Sequence, residues 1–304
     1  MYKKFILLCV LLFAVSACSK TDAPLPAKDK DTDSQSLLIG LIPERNLFDQ
    51  IKRYEPLADY ITKKTGIKIR LTVLPRYGNI IDNFVSSGMD GAFFGSFTYT
   101  LAHAKLGVEV IARPEKDDGT STYYGLIFVR KDSGISTGKD IKGKVFVFVD
   151  KATTAGYLLP LAFFKTNGID DYKTFLKETY FAGTHEDAIY DVLNKRAYIG
   201  AAKNTEYERI QKVDIRVINE LHIIGRSANV PENGLAVRGD LNDSIKNKLR
   251  ETLLSMHNDP YGQAVLKDFG SLRFIRTLDD DYSGVYDFIK KIDLDLTTYD
   301  YMND

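Results

Sequence analysis

Short apolar runs that alternate with segments of helical periodicity constrain the fold of this 304-residue chain more than any other feature. Leu37–Ile42 is a continuous apolar run typical of a buried strand, and the apolar residues after it recur at helical spacing until Gly66. The predicted elements of this first series are the strand 37–42, a helix ending before 66, the strand 67–74, a helix containing Ile81, Phe84 and Val85, the strand 91–94 and a further helix. Repeated alternation of strand and helix predicts an α/β fold with parallel strands.

The same alternation restarts at Lys144–Val149, which predicts a second α/β unit. From there on, the predicted helices lie near 154–167, 185–195 and 242–258, and the predicted strands lie near 177–182, 197–202, 215–219 and 234–238. The chain is expected to cross between the units near 123–130 and to return near 227–233. Two units also fit the length, at about 150 residues per domain. We expect lobe I to contain 37–126 and 232–304, and lobe II to contain 127–231.

The first 36 residues differ from the rest of the chain. Lys3 and Lys4 precede an apolar run that is too short to span a bilayer but suits a signal peptide over 1–17. The run ends in Val15–Cys18, which resembles a bacterial lipobox, so Cys18 is the predicted lipidation site. Residues 18–36 hold few large apolar side chains and predict a flexible, lipid-anchored linker. The protein is therefore expected outside the cytoplasm, attached to a membrane.

Charge and motifs exclude several functions. The 41 basic residues equal the 41 acidic ones, and removal of Lys3 and Lys4 leaves the mature chain slightly acidic, so we expect no nucleic-acid partner. The chain has only two cysteines, Cys9 and Cys18, which leave no disulfide and no catalytic thiol after processing. No phosphate loop, G-x-G-x-x-G fingerprint, G-x-S-x-G elbow or zinc-helix motif is found, so we expect no cofactor, no metal site and no enzymatic activity.

Polar residues follow two strands of the second unit, where an open parallel sheet binds ligands. One junction is Asp150–Tyr157, which offers hydroxyls and the free amides of a helix start to an oxyanion. The alternative is that Thr153 or Thr154 only caps the helix. The other junction, Gly183–Asp187, has capping-box spacing, so we interpret Asp187 as a cap and not as a base. His185 in the first turn could donate to an anion or simply lie on the surface.

These and further segments together resemble the phosphate/phosphite/phosphonate-binding proteins of ABC importers. The segments that carry the resemblance are Pro56–Tyr60, Phe94–Ser96, Tyr123–Gly125, Lys142–Val147, Thr153–Pro160, Gly183–Glu186 and Asn204–Glu206. The resemblance extends in order from about residue 37 to about 290. It implies a two-lobed type II periplasmic-binding-protein-like fold, in which each lobe is a mixed sheet flanked by helices and the ligand lies in the cleft between the lobes.

The resemblance also implies a binding site in lobe II. The family's phosphoryl-binding Ser-Thr-Ser-Gly corresponds to Thr153–Gly156, with hydroxyls from Thr153 and Thr154 and a backbone amide from Ala155. Ala155 lacks the third hydroxyl of the family pattern. His185 matches a histidine that contacts the phosphoryl group, and Glu206 matches an acid that holds a ligand ammonium or a protonated oxygen.

On the other side of the cleft, Tyr77 and Tyr123 match the aromatic residues that close on the ligand. Ser96 stands where many relatives have proline, and is included as a ligand-binding candidate. Asn233 stands where phosphonate binders have a second acid, although this one-residue match could be accidental. One carboxylate and one amide offer a ligand ammonium less charge than two carboxylates. We therefore expect phosphate, phosphite or a simple alkylphosphonate to bind better than an aminoalkylphosphonate.

The predicted function is a lipid-anchored, monomeric solute-binding protein that delivers a small phosphorus oxyanion or an organophosphonate to an ABC permease. A receptor on the same scaffold that reports its ligand to a membrane histidine kinase is the alternative, and the sequence does not separate the two. A hydrolase using His185 and Glu206 lacks any motif that supports a nucleophile and base.

Overall fold

The computed structural model describes residues 36–303, in which the apolar runs form two separate sheets. The signal peptide, the linker as far as residue 35 and Cys18 lie outside the described residues. The elements of the first half are β1 (Ser36–Leu41), α1 (Leu47–Thr65), β2 (Lys68–Val73), α2 (Asn79–Ser86), β3 (Gly91–Phe94), α3 (Ser96–Leu106), β4 (Glu109–Glu115), β5 (Thr122–Tyr123) and β6 (Gly125–Arg130).

The second half begins with β7 (Val145–Phe148), after which a π-helical turn over Thr154–Leu158 continues into the next helix. The remaining elements are α4 (Leu159–Thr166), α5 (Tyr172–Phe175), β8 (Glu178–Phe181), α6 (His185–Leu193), β9 (Ile199–Lys203), α7 (Asn204–Val213), α8 (Arg216–Glu220), β10 (Leu221–Arg226), β11 (Val230–Pro231), β12 (Gly234–Val237), α9 (Asp243–Ser255), α10 (Pro260–Phe269), β13 (Arg273–Arg276) and α11 (Ser283–Lys291).

Lobe I contains, within the described residues, a six-stranded sheet in the order β13-β4-β12-β3-β1-β2. β1 pairs in parallel with β2 and β3, while β12, β4 and β13 are joined by antiparallel pairing. The helical periodicity of α1 buries Tyr54, Leu57 and Ile61, and Gly66 ends the helix in the left-handed conformation. The predicted mixed sheet flanked by helices is confirmed for this lobe.

Lobe II contains a five-stranded sheet, again within residues 36–303, in the order β10-β6-β9-β7-β8. β7 pairs in parallel with β8 and β9, whereas β6 runs antiparallel to β9 and β10. The predicted strand near 215–219 is wrong, because these residues form the short helix α8 and the strand starts at Leu221. The Asp214 carboxylate accepts from the Arg216 amide and starts a helical turn, in which only Val217 is buried.

The lobes are joined by a pair of short crossing strands. β5 and β11 pair antiparallel, with Val230 opposite Tyr123, which agrees with the predicted crossing and return. A third connection follows α11, where the Tyr299 hydroxyl donates to the Lys151 carbonyl of lobe II. The Lys105 ammonium of lobe I donates to the Thr297 carbonyl in the same segment. The C-terminal residues therefore contact both lobes. No helix in the described part of the chain is long and apolar enough to cross a membrane.

Candidate functional site

The strand-to-helix junction after β7 forms a wide first turn. The shape of this turn depends on glycine at position 156. The Gly156 backbone packs so closely on Val149 that a Cβ would lie 2.3 Å from the Val149 Cβ. The amide of Leu158 donates to the carbonyl of Thr153, five residues earlier, as in a π-helical turn. The first amides of a helix have no acceptor within the helix, so those of Thr154, Ala155 and Gly156 are oriented for an anion. Such turns occur often at functional sites.

The two threonine hydroxyls of this junction have different partners. The Thr153 hydroxyl donates to the Asp150 carbonyl at 2.6 Å, so its proton is already used within the protein. The Thr154 oxygen accepts from the backbone amide of Phe97 at 2.9 Å. Phe97 belongs to α3 of lobe I, so Thr154 connects the two lobes directly. Neither hydroxyl accepts the hydrogen bond of an ordinary helix cap.

His185 is the first residue of α6 and is buried. Its Nδ1 accepts from the Lys203 backbone amide at 3.3 Å, which leaves Nε2–H as a donor. Burial lowers the pKa of His185 to about 4, so the imidazole is neutral at pH 7. The side chain is not on the surface. Thr184 is the N-cap of this turn, since the Asp187 amide donates to the Thr184 hydroxyl at 3.0 Å. The Asp187 carboxylate, which we interpreted as a cap, accepts from the same hydroxyl at 2.7 Å.

Tyr77 and Tyr123 approach this junction from lobe I and from the crossing strand. The Tyr77 ring lies edge-on to the His185 ring at 5.9 Å between centroids. Within the described residues, the Tyr77 hydroxyl is buried without a hydrogen-bond partner, and burial raises its pKa well above the usual range. Burial also raises the pKa of the Tyr123 hydroxyl, although the Lys203 ammonium and a hydrogen bond with Thr154 oppose the shift. Both phenols are therefore protonated at neutral pH.

Ser96 begins α3, and its hydroxyl donates to the Pro231 carbonyl at 2.6 Å. This bond fixes the start of α3 to the crossing strand β11. A hydrogen bond with the Tyr123 hydroxyl also contributes to the environment of that tyrosine. Ser96 therefore lies within the cleft, and its hydroxyl proton is used in the hydrogen bond to the Pro231 carbonyl.

A buried lysine, Lys203, lies at the other end of the cleft. Its Nζ is 3.0 Å from Glu44 Oε1, donates to Glu232 Oε1 and lies 4.4 Å from the centre of the Tyr123 ring. Burial alone would lower the pKa of Lys203, but Glu232 and Glu44 together raise it above the usual range. Burial alone would raise the pKa of Glu44, but Lys203 and Arg53 lower it to about 2. Lys203 and Glu44 are therefore both charged.

Glu206 is fully paired. Arg45 donates to its Oε1 from Nε at 3.0 Å and from Nη2 at 2.9 Å, and Arg209 donates to its Oε2 at 2.7 Å. The pair with Arg45 joins lobe I to α7 of lobe II. As long as the lobes are in contact, Glu206 is therefore occupied by guanidinium groups, and the expected contact with a ligand ammonium would require these bonds to break.

Asn233 lies next to the lysine. Its Oδ1 is 3.4 Å from Lys203 Nζ, and its buried Nδ2 has no hydrogen-bond partner among the described residues. Its backbone amide donates to Glu232 at 3.0 Å. The side chain is thus inside the cleft, with a donor available to a ligand oxygen.

A cavity of about 860 Å³ opens on the outer side of these charged groups. Its lining includes Arg45, Arg53 and Arg209, and Lys203 and Glu232 contribute to its wall. The charged end of the cleft is thus reached from solvent between α1 and α7.

The sequence reasoning missed Lys203, Glu44, Arg45, Arg53 and Glu232. A signal for three of them was present: Glu44 and Arg45 follow β1, and Lys203 ends β9 at the junction with α7, which is the edge of the sheet where ligands bind. The rule that ligands bind at the carboxyl ends of parallel strands also identified the junction after β7 as a candidate site. Arg53 and Glu232 could not be found in this way, because only the tertiary fold brings them to the lysine.

Comparison with known proteins agrees with this fold. Residues 39–282 match the family described as "ABC transporter, phosphonate, periplasmic substrate-binding protein". The phosphate-import protein PhnD of Mycolicibacterium smegmatis is 27% identical over 253 residues, covering 80% of this chain and 78% of the relative. The phosphonates-binding periplasmic protein of Escherichia coli K12 is 24% identical over 253 residues, covering 82% of this chain and 73% of the relative.

A solved structure has the same fold. The binding protein component of an ABC phosphonate transporter from Pseudomonas aeruginosa superposes with a TM-score of 0.78 at 24% identity, covering 86% of this chain and 87% of that one. The resemblance stated from sequence motifs, the two-lobed fold and the expectation of a binding protein that is not an enzyme are confirmed. The chain belongs to the periplasmic substrate-binding proteins of ABC phosphonate transporters, which act outside the cytoplasm.

Proposed function

We propose that the protein captures phosphate, phosphite or a simple alkylphosphonate between its lobes and delivers it to an ABC permease. The observation that carries this proposal is the convergence of donors from both lobes at the junction after β7. Lobe II offers the first-turn amides of Thr154–Gly156 and the neutral His185 Nε2–H, while lobe I offers the unpartnered Tyr77 hydroxyl. Several hydrogen bonds on a tetrahedral oxyanion offset the loss of its hydration.

The candidate residues have distinct roles in this proposal. Thr154, Ala155 and His185 donate to the oxyanion, and Tyr77 and Tyr123 cover it. Thr153 and Ser96 position the turn and α3, because their protons are used in bonds to the carbonyls of Asp150 and Pro231.

Contacts between the lobes support capture by closure. Besides the bond from the Phe97 amide to Thr154, the Thr98 hydroxyl donates to the Ala152 carbonyl at 2.8 Å. Both bonds join the start of α3 to the junction that would hold the oxyanion. Closure of the lobes therefore completes the site and excludes water from it.

We place the mature protein on the extracytoplasmic side of a membrane, anchored by lipid on Cys18 and separated from it by the linker. The Val15–Cys18 sequence and the polar composition of residues 19–36 support this. A lipid anchor holds the binding protein at the membrane and so keeps it near a permease. We propose that it acts as a monomer, and that lobe II starts at Gly125 and not at residue 127, because Gly125 and Leu126 pair with β9 of lobe II.

A ligand panel tests the proposed function. Phosphate, phosphite and methylphosphonate are expected to raise the melting temperature of the purified mature protein, and calorimetry gives their Kd values. Sulfate is the control for a tetrahedral anion without phosphorus. If none of the three phosphorus oxyanions stabilises the protein at millimolar concentration, the proposed ligand class is wrong.

Tyr77→Phe tests the position of the oxyanion. The hydroxyl has no protein partner, so its removal should leave the stability of the ligand-free protein unchanged or higher. Loss of one hydrogen bond to an anion should weaken oxyanion binding about tenfold or more. Tyr282→Phe is the matched control, because the Tyr282 hydroxyl is also buried and unpartnered, but its ring packs on Tyr99 in lobe I. Equal affinities in wild type and Tyr77→Phe would count against this site.

A further inference from the structure

Lys203 is a buried cation that contacts residues of the proposed oxyanion site. Its backbone amide donates to His185, and its ammonium lies over the ring of Tyr123. The ammonium also lies 3.4 Å from Asn233 Oδ1. The charge of Lys203 therefore lies next to Tyr123, which is proposed to cover the ligand, and next to Asn233.

The charged side chains at this end of the cleft form a network in which each carboxylate is paired with a lysine or an arginine of the protein. Glu44 pairs with Lys203 and Arg53, Glu232 pairs with Lys203, Glu206 pairs with Arg45 and Arg209, and Glu186 pairs with Arg209. The network thus contains equal numbers of acidic and basic groups. A ligand that brings its own ammonium finds no unpaired carboxylate in it.

We propose that the Lys203 ammonium permanently fills the position of a ligand ammonium, so that the cleft accepts phosphorus oxyanions without an amino group and rejects aminoalkylphosphonates. This inference rests on the proposed function, since it concerns the specificity of the same site. It assigns a specificity role to Lys203 together with Glu44 and Glu232, which hold its charge in place.

Electrostatics supports the exclusion. An aminoalkyl group entering this end would place a second ammonium next to Lys203, and like charges a few ångströms apart repel strongly at the low effective dielectric of a buried site. A ligand ammonium cannot readily displace Lys203 either. A displaced Lys203 would lose both of its buried carboxylate partners, Glu44 and Glu232. An uncharged methyl group meets neither obstacle.

The wild-type protein gives the first test. It should bind methylphosphonate at least about tenfold more tightly than 2-aminoethylphosphonate, as measured by calorimetry. Equal or tighter binding of 2-aminoethylphosphonate would overturn the inference. This measurement does not depend on the folding of any variant.

Lys203→Ala gives the second test. The variant leaves Glu232 without a cation and Glu44 with Arg53 alone, and it opens space next to both carboxylates. 2-Aminoethylphosphonate should therefore gain at least about tenfold in affinity relative to methylphosphonate. Ethylammonium chloride should raise the melting temperature of this variant more than sodium chloride does, and should not do so for the wild type. Lys203→Met keeps most of the side-chain volume, so ethylammonium should fail to stabilise it.

Lys246→Ala is the matched control. Lys246 is also buried and its ammonium lies 2.9 Å from Glu109 Oε2, but this pair belongs to α9 and β4, away from the charged network. The substitution should lower stability without changing the ratio of the two affinities. Absence of binding to any oxyanion by the wild type would overturn both proposals, whereas oxyanion binding with an unchanged ratio in Lys203→Ala would overturn only the role of Lys203.

Discussion

The buried, neutral His185 predicts a specific dependence of stability on pH. Burial lowers its pKa from 6.5 to about 4 in the folded protein. Between these two values the unfolded chain binds more protons than the folded protein, so the stability is complete above pH 6.5 and decreases as the pH falls towards 4. His185→Asn removes this proton-binding group and keeps a side-chain oxygen that can accept from the Lys203 amide.

The magnitude follows from the two pKa values. Between pH 7.5 and pH 5, the linkage relation gives a loss of about 2 kcal/mol that is due to His185 alone. Glu44 adds little in this range, because its pKa of about 2 in the folded protein and 4.5 as the ordinary value both lie below pH 5. The free energy of unfolding of the wild type should therefore fall by about 2 kcal/mol more than that of His185→Asn over this interval.

Urea denaturation at both pH values, without ligand, measures this difference. Comparing the change in each protein cancels the contribution of other groups that titrate in the same range. His222→Asn is the control, since His222 is exposed on β10 and its replacement should leave the pH dependence of the wild type unchanged. If the curves of wild type and His185→Asn run parallel from pH 7.5 to pH 5, His185 is not held neutral by burial and the reasoning fails.

Three further predictions concern the ligand and the anchor. Thr154→Ala should weaken phosphate binding about tenfold or more in calorimetry, because it removes a hydroxyl at the oxyanion site and the acceptor for the Phe97 amide; unchanged affinity would exclude the junction. Asn233→Asp supplies the second acid of phosphonate binders, but the Lys203 ammonium, 3.4 Å from Asn233 Oδ1, would neutralise the new carboxylate. We therefore expect the substitution to favour 2-aminoethylphosphonate over phosphate only in the Lys203→Ala background, and a shift in the single variant would contradict this. Cys18→Ala should release the protein from the membrane fraction, and mass spectrometry of a membrane-bound variant with a processed, unmodified N-terminus would argue against lipidation.

Local periodicity in the sequence determined the parallel strands and helices of the two units, whereas the two-lobed fold with mixed sheets followed from the resemblance to a known family. Apolar runs and helical spacing located most strands and helices, and Thr184 and Asp187 identified the start of α6 from their spacing. β4, β10, β13, α7, α10 and α11 were not predicted. Residues 215–219 were predicted as a strand, although Asp214 starts a helical turn there. Local hydrogen bonding decided that segment against the hydrophobic pattern.

The electrostatics of the cleft was decided only by the tertiary structure. Glu44, Lys203 and Glu232 are far apart in the sequence, and although Glu44 and Lys203 lie at strand ends, nothing in the sequence shows that the three side chains pair with one another. Folding brings β1, β9 and β11 to one place and removes water from these groups, which then depend on one another for charge compensation. Motif matching identified Glu206 and Asn233 as cleft residues, but their partners Arg45 and Lys203 come from other elements of the fold. The position of a side chain follows from its strand or helix, whereas its charge and its free hydrogen-bonding capacity depend on every group that packs against it.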